Sequence, residues 1–531
     1  MKKKAKKAKK PSTAVYSISQ CRQLGRKCRE NGQYEKAEIY YQKWIEQNPV
    51  DAEAYNLLGN TYREQWKLEE ATKCYKQALA IHPHYAAVFN NLGATVLEQG
   101  ETKQALEYYQ AALRLEPNFL HYQSFLLGLH YPSGLSAKYI FQSHLTLEKY
   151  LPPTKKNNSK ASIQVDNSEK IIRIGYVSGD FRDHSVNYFF EPILREHNRK
   201  QFHITCYSNN SYEDSATKRL KRLAHQWVDC TTLTDKALCS RIKRDQIDIL
   251  VDLSGLTPFH RLGVFAQKPA PIQITGIGYV HTTGLASIDY RLVDQHTDPV
   301  SYANDNMVEQ PLYLPYSYCC YDPLTTLPEQ SPSPALQSNT ITFASFGKLS
   351  KISTATFDTW CVILQKIPHA QLHLYNHSFQ DESTCDKWLQ RFMDKGISEQ
   401  QIKLGYLEST NKVLTTYQYI DIVLDTFPYN GCTTTCQALT VGVPVVSLWG
   451  ETHAARVGGS FLTTVGLSEL IADSPEQYSE LCVHLAQDLV ALDQLRSTVR
   501  KKMLSSPLMD VATYTHHLEE LYTKVHHTSF I

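Results

Sequence analysis

The 531-residue sequence predicts a superhelix of helical repeats followed by two α/β halves. Three observations carry that prediction. Residues 17–119 repeat with a fixed period of 34, two later stretches alternate short apolar runs with helical segments, and polar linkers separate the parts. At 42% apolar and 20% charged residues the composition is that of a soluble globular chain, long enough for about three or four separate cores.

Net charge and cysteine usage narrow the function classes. Seven of the first ten residues are lysines, so the overall +2 leaves about −5 for the rest. Residues 1–16 read as a basic, disordered tail. It has no run of aromatic side chains to stack on bases, so nucleic acid is not an expected partner. Thirteen cysteines are scattered without a CxxC pair or a Cys/His cluster at zinc spacing. Cys319 and Cys320 are adjacent and Cys432 and Cys436 are four apart, and neither spacing is a metal or redox motif. No apolar run reaches the length of a membrane span and no signal-peptide core is present, which predicts a reduced, cytoplasmic compartment.

In the repeats, Gly25, Gly59 and Gly93 are in register, as are Ala37, Ala71 and Ala105, Tyr41, Tyr75 and Tyr109, and Pro49, Pro83 and Pro117. Thirty-four residues is the tetratricopeptide period. Small residues let the two helices of a repeat approach, the aromatic fills the gap, and proline ends the second helix. Three such repeats stack into a short superhelix whose concave face holds extended peptide, although a solubilising or dimerising cap has the same pattern. Residues 120–169 form a connector, helical to 151 and a Lys/Asn/Ser linker beyond.

The first α/β half is assigned to 170–321, with strands over 171–178, 202–207, 247–253, 272–277, 290–293 and 312–314 and helices over 185–197, 215–225 and 235–245. Residues 322–339, rich in Pro and Ser, are a second linker. The remainder, 340–531, is the second half, with strands over 341–345, 371–375, 402–404, 422–425 and 445–448. Continuous apolar strands alternating with helices predict parallel sheets covered on both faces. Two such sheets leave a cleft lined by the carboxyl ends of their strands.

One stretch there suggests an anion site. The strand at 422–425 runs into the turn Phe427-Pro428-Tyr429-Asn430-Gly431, and Thr433, Thr434 and Thr435 then open a helix expected over 434–441. Free backbone N–H groups, hydroxyls and the positive helix end meet at that point. An ordinary strand–helix turn with threonine caps reads the same way.

Four separated motifs carry a family resemblance: IGYVSGDFRDHSVNYFF at 174–190, PAPIQITGIGYVHTTGL at 269–285, SFGKLSK at 345–351 and FPYNGCTTT at 427–435. With the repeats ahead of them they resemble the SPINDLY/O-linked N-acetylglucosamine transferase family, over about residues 17–526. The resemblance implies a GT-B arrangement, with acceptor groups mainly on the first half and the sugar nucleotide mainly on the second. It implies His184 and Lys351 as catalytic residues. Lys348, Lys351, Cys432, Thr433, Thr434, Thr435 and Gln437 are implied to hold the donor nucleotide. Histidine is chemically suited to proton transfer and lysine to neutralising a departing diphosphate without a metal.

The chain also departs from the pattern. Lys348 stands where relatives carry glutamine or asparagine, and Gln437 where they carry a ribose-holding carboxylate. Leu256 and Val413 stand where they have histidines, and Gly276 and Val280 where they have tryptophan and proline. Of three expected ladder asparagines in the repeats only Asn91 is present, with Gln23 and Leu57 at the others. The implied activity is metal-independent, inverting transfer of N-acetylglucosamine from UDP-N-acetylglucosamine to protein Ser/Thr hydroxyls. GDP-fucose as donor and a catalytically weakened repeat scaffold are the alternatives. The nucleotide sugar is a co-substrate, and no resident cofactor or metal is expected. The repeats are expected to select the protein acceptor and to leave nucleotide binding untouched.

Overall fold

The computed structural model describes residues 16–151 and 171–529. The basic tail expected over 1–16, apart from Tyr16, and the linker expected over 152–169 lie outside them. The repeats form three helix pairs: α1 (Ile18–Glu30) with α2 (Tyr34–Gln47), α3 (Ala52–Glu64) with α4 (Leu68–Ile81), and α5 (Ala86–Glu98) with α6 (Thr102–Leu115). Steric contact explains the phase of their glycines and tyrosines. A Cβ on Gly25, Gly59 or Gly93 would lie 2.6–2.7 Å from the ring of Tyr41, Tyr75 or Tyr109 in the same repeat. The tyrosine therefore fills the space beside its own repeat's glycine, and any larger residue there would force the helices apart.

The connector is two helices, α7 (Phe119–Gly128) and α8 (Ala137–Leu145), broken by a turn. Beyond it, β1 (Ile172–Ser178), β2 (Phe202–Ser208), β3 (Gln226–Asp229), β4 (Ile249–Asp252), β5 (Ile272–Thr275), β6 (Tyr290–Val293) and β7 (Gln310–Tyr313) form a parallel sheet ordered β3-β2-β1-β4-β5-β6-β7. The second half holds β8 (Thr342–Ser345), β9 (Gln371–Tyr375), β10 (Ile402–Gly405), β11 (Ile422–Leu424), β12 (Val445–Leu448) and β13 (Ile471–Ala472), ordered β10-β9-β8-β11-β12-β13. Strand order reverses between β1 and β4 and again between β8 and β11, so each sheet opens a crevice at the carboxyl ends of that pair. The edge strands β3 and β13 escape the apolar-run criterion because they are short and only partly covered.

Two packing relations differ from the sequence division. The last helix, Val511–Ser529, leaves the second half and lies on the first: Tyr514, Leu518 and Tyr522 join the core under β1 and β2, and Glu519 accepts from the His197 ring at 2.9 Å. The repeats are not an independent arm either. Helices α4 to α7 share one apolar core with Val177, Tyr207 and Leu250 of the first half. The α5–α6 turn also docks on the second half: the buried Trp388 donates to the Gln99 carbonyl at 3.0 Å, and Ser378 donates to the Glu98 carbonyl at 2.7 Å. Gly100, at φ +92°, lets that turn approach, since a Cβ there would meet the Trp388 ring at 2.7 Å. Through these contacts the repeats touch the second half as well as the first.

Candidate functional site

The residues singled out from sequence follow the strands at the two switch points. His184 follows β1, Lys348 and Lys351 follow β8, and Cys432 to Gln437 follow β11. Lys351 ends a short 3-10 turn, Leu349–Lys351. Its Nζ donates to the Asn430 carbonyl at 2.8 Å and lies 4.0 Å above the Tyr429 ring. The structure thus joins the β8 loop to the FPYNG loop through this ammonium group and through Ser353, whose hydroxyl donates to the Phe427 carbonyl at 2.6 Å. Burial pushes Lys351 down to about 8, against the opposing pull of Cys432 and Asp425.

Helix Thr433–Thr440 starts at Cys432 without a side-chain cap, so its first backbone N–H groups are available to a ligand. Thr433 and Thr434 are half-exposed there, whereas Thr435 and Gln437 are buried. A Cβ on Gly431 would lie 2.6 Å from the Thr435 hydroxyl and 2.8 Å from that of Thr434, which makes glycine a requirement of this turn. Gln437 is set apart from the open threonines by its burial, and Lys348 is exposed at the rim.

Asp425 organises this loop, and sequence reading missed it. One oxygen accepts from the N–H groups of Gly431 at 2.6 Å and Thr426 at 2.9 Å, and the other from the Ser447 hydroxyl at 2.6 Å. Burial raises it to about 6. Asn430, held by its amide on the Thr426 carbonyl at 2.8 Å, turns its own carbonyl to Lys351. An Asp placed directly after an apolar strand and before a Thr was the available signal.

His184 is partly exposed, with Nε2 3.8 Å from Asp180 Oδ1 and Nδ1 accepting the Val186 N–H at 3.3 Å. Burial lowers its pKa, with Asp180 opposing and Arg182 and Lys348 adding to the fall. The neutral ring so arranged carries its proton on Nε2 and presents a donor. His184 lines a cavity of about 370 Å³ between the halves, with Asp183, Tyr188 and Arg219 on one wall and Glu408 and Thr410 on the other. Lys348 lines a second cavity, about 270 Å³, between the second half and the repeats, with Trp66, Glu98, Tyr131 and His377. Lys351 and the Cys432–Thr435 segment line neither of these two cavities.

The departures from the family pattern are mostly packing residues. Leu256 is buried, and its carbonyl accepts from Gln123 of α7 at 2.7 Å. Val413 packs on the core beneath helix Thr433–Thr440. A Cβ on Gly276 would lie 2.9 Å from that of Leu292. Asn91 donates to Asn56 at 2.9 Å, so the one matching ladder amide is engaged within the repeats. Among the described residues no His/Cys/Asp/Glu group is arranged to hold a metal ion, and no helix is long and apolar enough to cross a membrane.

The family model described as glycosyl transferase family 41 matches residues 128–331 and 329–518, and tetratricopeptide models match 23–71 and 50–116. A Petunia hybrida protein named probable UDP-N-acetylglucosamine–peptide N-acetylglucosaminyltransferase SPINDLY is 39% identical over 365 residues, which is 67% of this chain and 39% of that protein. The Arabidopsis thaliana protein of the same name is 37% identical over 67% of this chain, and a second Arabidopsis thaliana relative, named SEC, is 29% identical over 74%. The chain spans about two fifths of the length of these curated relatives. Among solved structures, a lysine-to-methionine mutant of Thermobaculum terrenum O-GlcNAc transferase superposes with a TM-score of 0.89 at 31% identity, covering 98% of this chain and 99% of that one. Repeats, paired parallel sheets and a model match over most of the chain lead to one assignment: the chain belongs to glycosyl transferase family 41.

Proposed function

We propose that this chain transfers a sugar from a nucleoside-diphosphate donor to Ser or Thr hydroxyls of proteins, by direct, inverting displacement and without a metal. One observation carries the reading: the Lys351 ammonium is held against the Asn430 carbonyl beside the uncapped start of helix Thr433–Thr440. When the acceptor oxygen attacks the sugar, the bond to the diphosphate breaks and negative charge grows on the leaving phosphate. Lys351 and the first helical N–H groups are placed to receive that charge, the task a metal performs elsewhere. Cys432, Thr433 and Thr434 border the same point, and Lys348 adds positive charge at the rim. His184 faces the cleft from the other half. With Nδ1 occupied by Val186, it orients an oxygen as a donor and takes up the hydroxyl proton only after giving up that contact.

UDP-N-acetylglucosamine is the donor of choice, supported by the names of the relatives and of the superposed enzyme. GDP-fucose is the alternative, carried by the SPINDLY-like loops. The protein acceptor enters from the repeat side, where the cavity beside Lys348 opens. A thermal-shift panel of UDP, GDP, UDP-N-acetylglucosamine and GDP-fucose, each with and without EDTA, tests the reading. A chelator-insensitive rise with a uridine ligand is expected, and a rise with guanosine ligands alone reassigns the donor. No rise with any of the four leaves a repeat scaffold. Product anomeric configuration read by NMR tests inversion.

A further inference from the structure

The fold brings together the two cysteine pairs whose spacing in sequence is neither a metal nor a redox motif. Cys319 and Cys320 lie just beyond β7, on the segment leaving the first half, and Cys432 starts helix Thr433–Thr440 in the second, with Cys436 one turn in. Cys319 follows Tyr318, whose hydroxyl lies 3.6 Å from the Cys432 sulfur, and Cys319, Cys432 and Cys436 pack in one apolar core. Cys319 is buried behind, whereas Cys432 is half-exposed beside the candidate anion site. A phosphate site needs N–H groups and hydroxyls, and it has no use for a second thiol stacked behind the first.

We propose that Cys432 and Cys319 form a peroxide-sensitive thiol pair whose oxidation to a disulfide closes the anion site at the start of helix Thr433–Thr440. The chemistry of the pair stands independently, while its effect on donor binding rests on the function proposed above. Cys432 is also the thiol best prepared to react. The neighbouring Cys319 thiol, the Tyr318 hydroxyl and the nearby Lys351 hold it below the ordinary thiol range, whereas burial pushes Cys319 and Cys436 up. In the first step the Cys432 thiolate attacks one oxygen of a hydroperoxide. An S–O bond forms, the O–O bond breaks, and the departing oxygen takes a proton and leaves as water or an alcohol; sulfur is oxidised to sulfenic acid and the peroxide is reduced. In the second step the Cys319 sulfur, losing its proton, attacks the Cys432 sulfur. The S–S bond forms, the S–O bond breaks and water leaves. The product ties the segment after β7 to the phosphate helix, so it both draws the Cys432 sulfur away from the cleft and staples the two halves.

The test uses the full chain, treated with hydrogen peroxide, quenched with catalase, alkylated and digested without reductant. Mass spectrometry should find a Cys319–Cys432 linked peptide, and the UDP thermal shift should disappear and return with dithiothreitol. Cys319→Ser should keep the UDP shift of the untreated protein, form no linked peptide and accumulate a dimedone adduct on Cys432. Neither linked peptide nor adduct, at peroxide doses that leave the buried Cys206 and Cys482 unmodified, overturns the pair. An unchanged UDP shift after complete linkage overturns the closure. A linked peptide in a protein whose reduced form never responds to UDP upholds the pair and removes the donor reading instead.

Discussion

Each half places a buried aspartate at the end of a switch-point strand, and the turns these aspartates hold are furnished differently. At the end of β4, Asp252 accepts from the N–H groups of Ser254 and Gly255 and from the Thr275 hydroxyl on β5. At the end of β11, Asp425 accepts from Thr426 and Gly431 and from the Ser447 hydroxyl on β12. Burial raises both carboxyl groups to about 6. The Asp252 turn leads to Leu256, packed under α7, whereas the Asp425 turn leads to an uncapped helix and faces Lys351. A buried carboxylate that satisfies turn N–H groups is thus shared scaffolding, and what the turn presents decides whether a charge can be handled there.

Lys351→Ala tests this contrast most severely. It removes the cation from the furnished turn, and a loss in kcat on the order of 100-fold is expected with donor affinity changed far less, since the phosphate charge grows in the transition state. Equal kcat at saturating donor would mean that both turns are only structural.

The next effect concerns acid. The contact of the first half with the connector buries His130, His144 and His281 around Tyr279, with Arg291 and His453 adding positive field and Tyr429 and Tyr131 packed on the edge. Burial holds His144 down at about 4. A histidine whose folded pKa lies below its unfolded value supports folding above about pH 6.5, and that support is lost as pH falls toward 4. For His144 the loss is about 2 kcal/mol at pH 5. The contact of the second half with the repeats, through Trp388, Ser378 and Glu69, buries no such cluster. Hydrogen exchange at pH 7.5 and pH 5 should therefore show α7 and α8 losing protection before the α5–α6 turn does. The reverse order would contradict the assignment.

A chain beginning at residue 119 lacks α1 to α6 and uncovers Trp388. It is expected to bind UDP about tenfold more weakly, through a loosened Leu349–Lys351 turn, as measured by calorimetry. Unchanged affinity would bear out the expectation that the repeats leave nucleotide binding untouched.

The smallest effect separates the two aspartates. On the proposed function Lys351 supports transfer while protonated, so kcat/KM should fall as pH rises through about 8. Asp425→Asn removes a negative charge that favours the ammonium form and should move that alkaline limb to lower pH, a few-fold loss at pH 7.5. Asp252→Asn should leave the limb in place. A shift of equal size in both variants would show that the effect is general to the fold.

Much of the architecture was legible because it is periodic. The 34-residue register of Gly, Ala, Tyr and Pro specifies helix pairs, and the central strands are apolar enough to be read one by one. Lys351 and the threonines at 433–435 could be named from local motifs, since a strand, a glycine turn and a helix start are contiguous in sequence. The position of Lys351 on the Asn430 carbonyl could not, because 79 residues separate the partners and only the β8–β11 pairing brings their loops together. The return of the last helix to the first half, the docking of Gln99 on Trp388 and the meeting of Tyr318 with Cys432 are likewise long-range contacts. Periodicity and turn chemistry act over a few residues and leave their mark in the sequence. The distance between two loops depends on how whole sheets and repeats pack, and no local pattern records it.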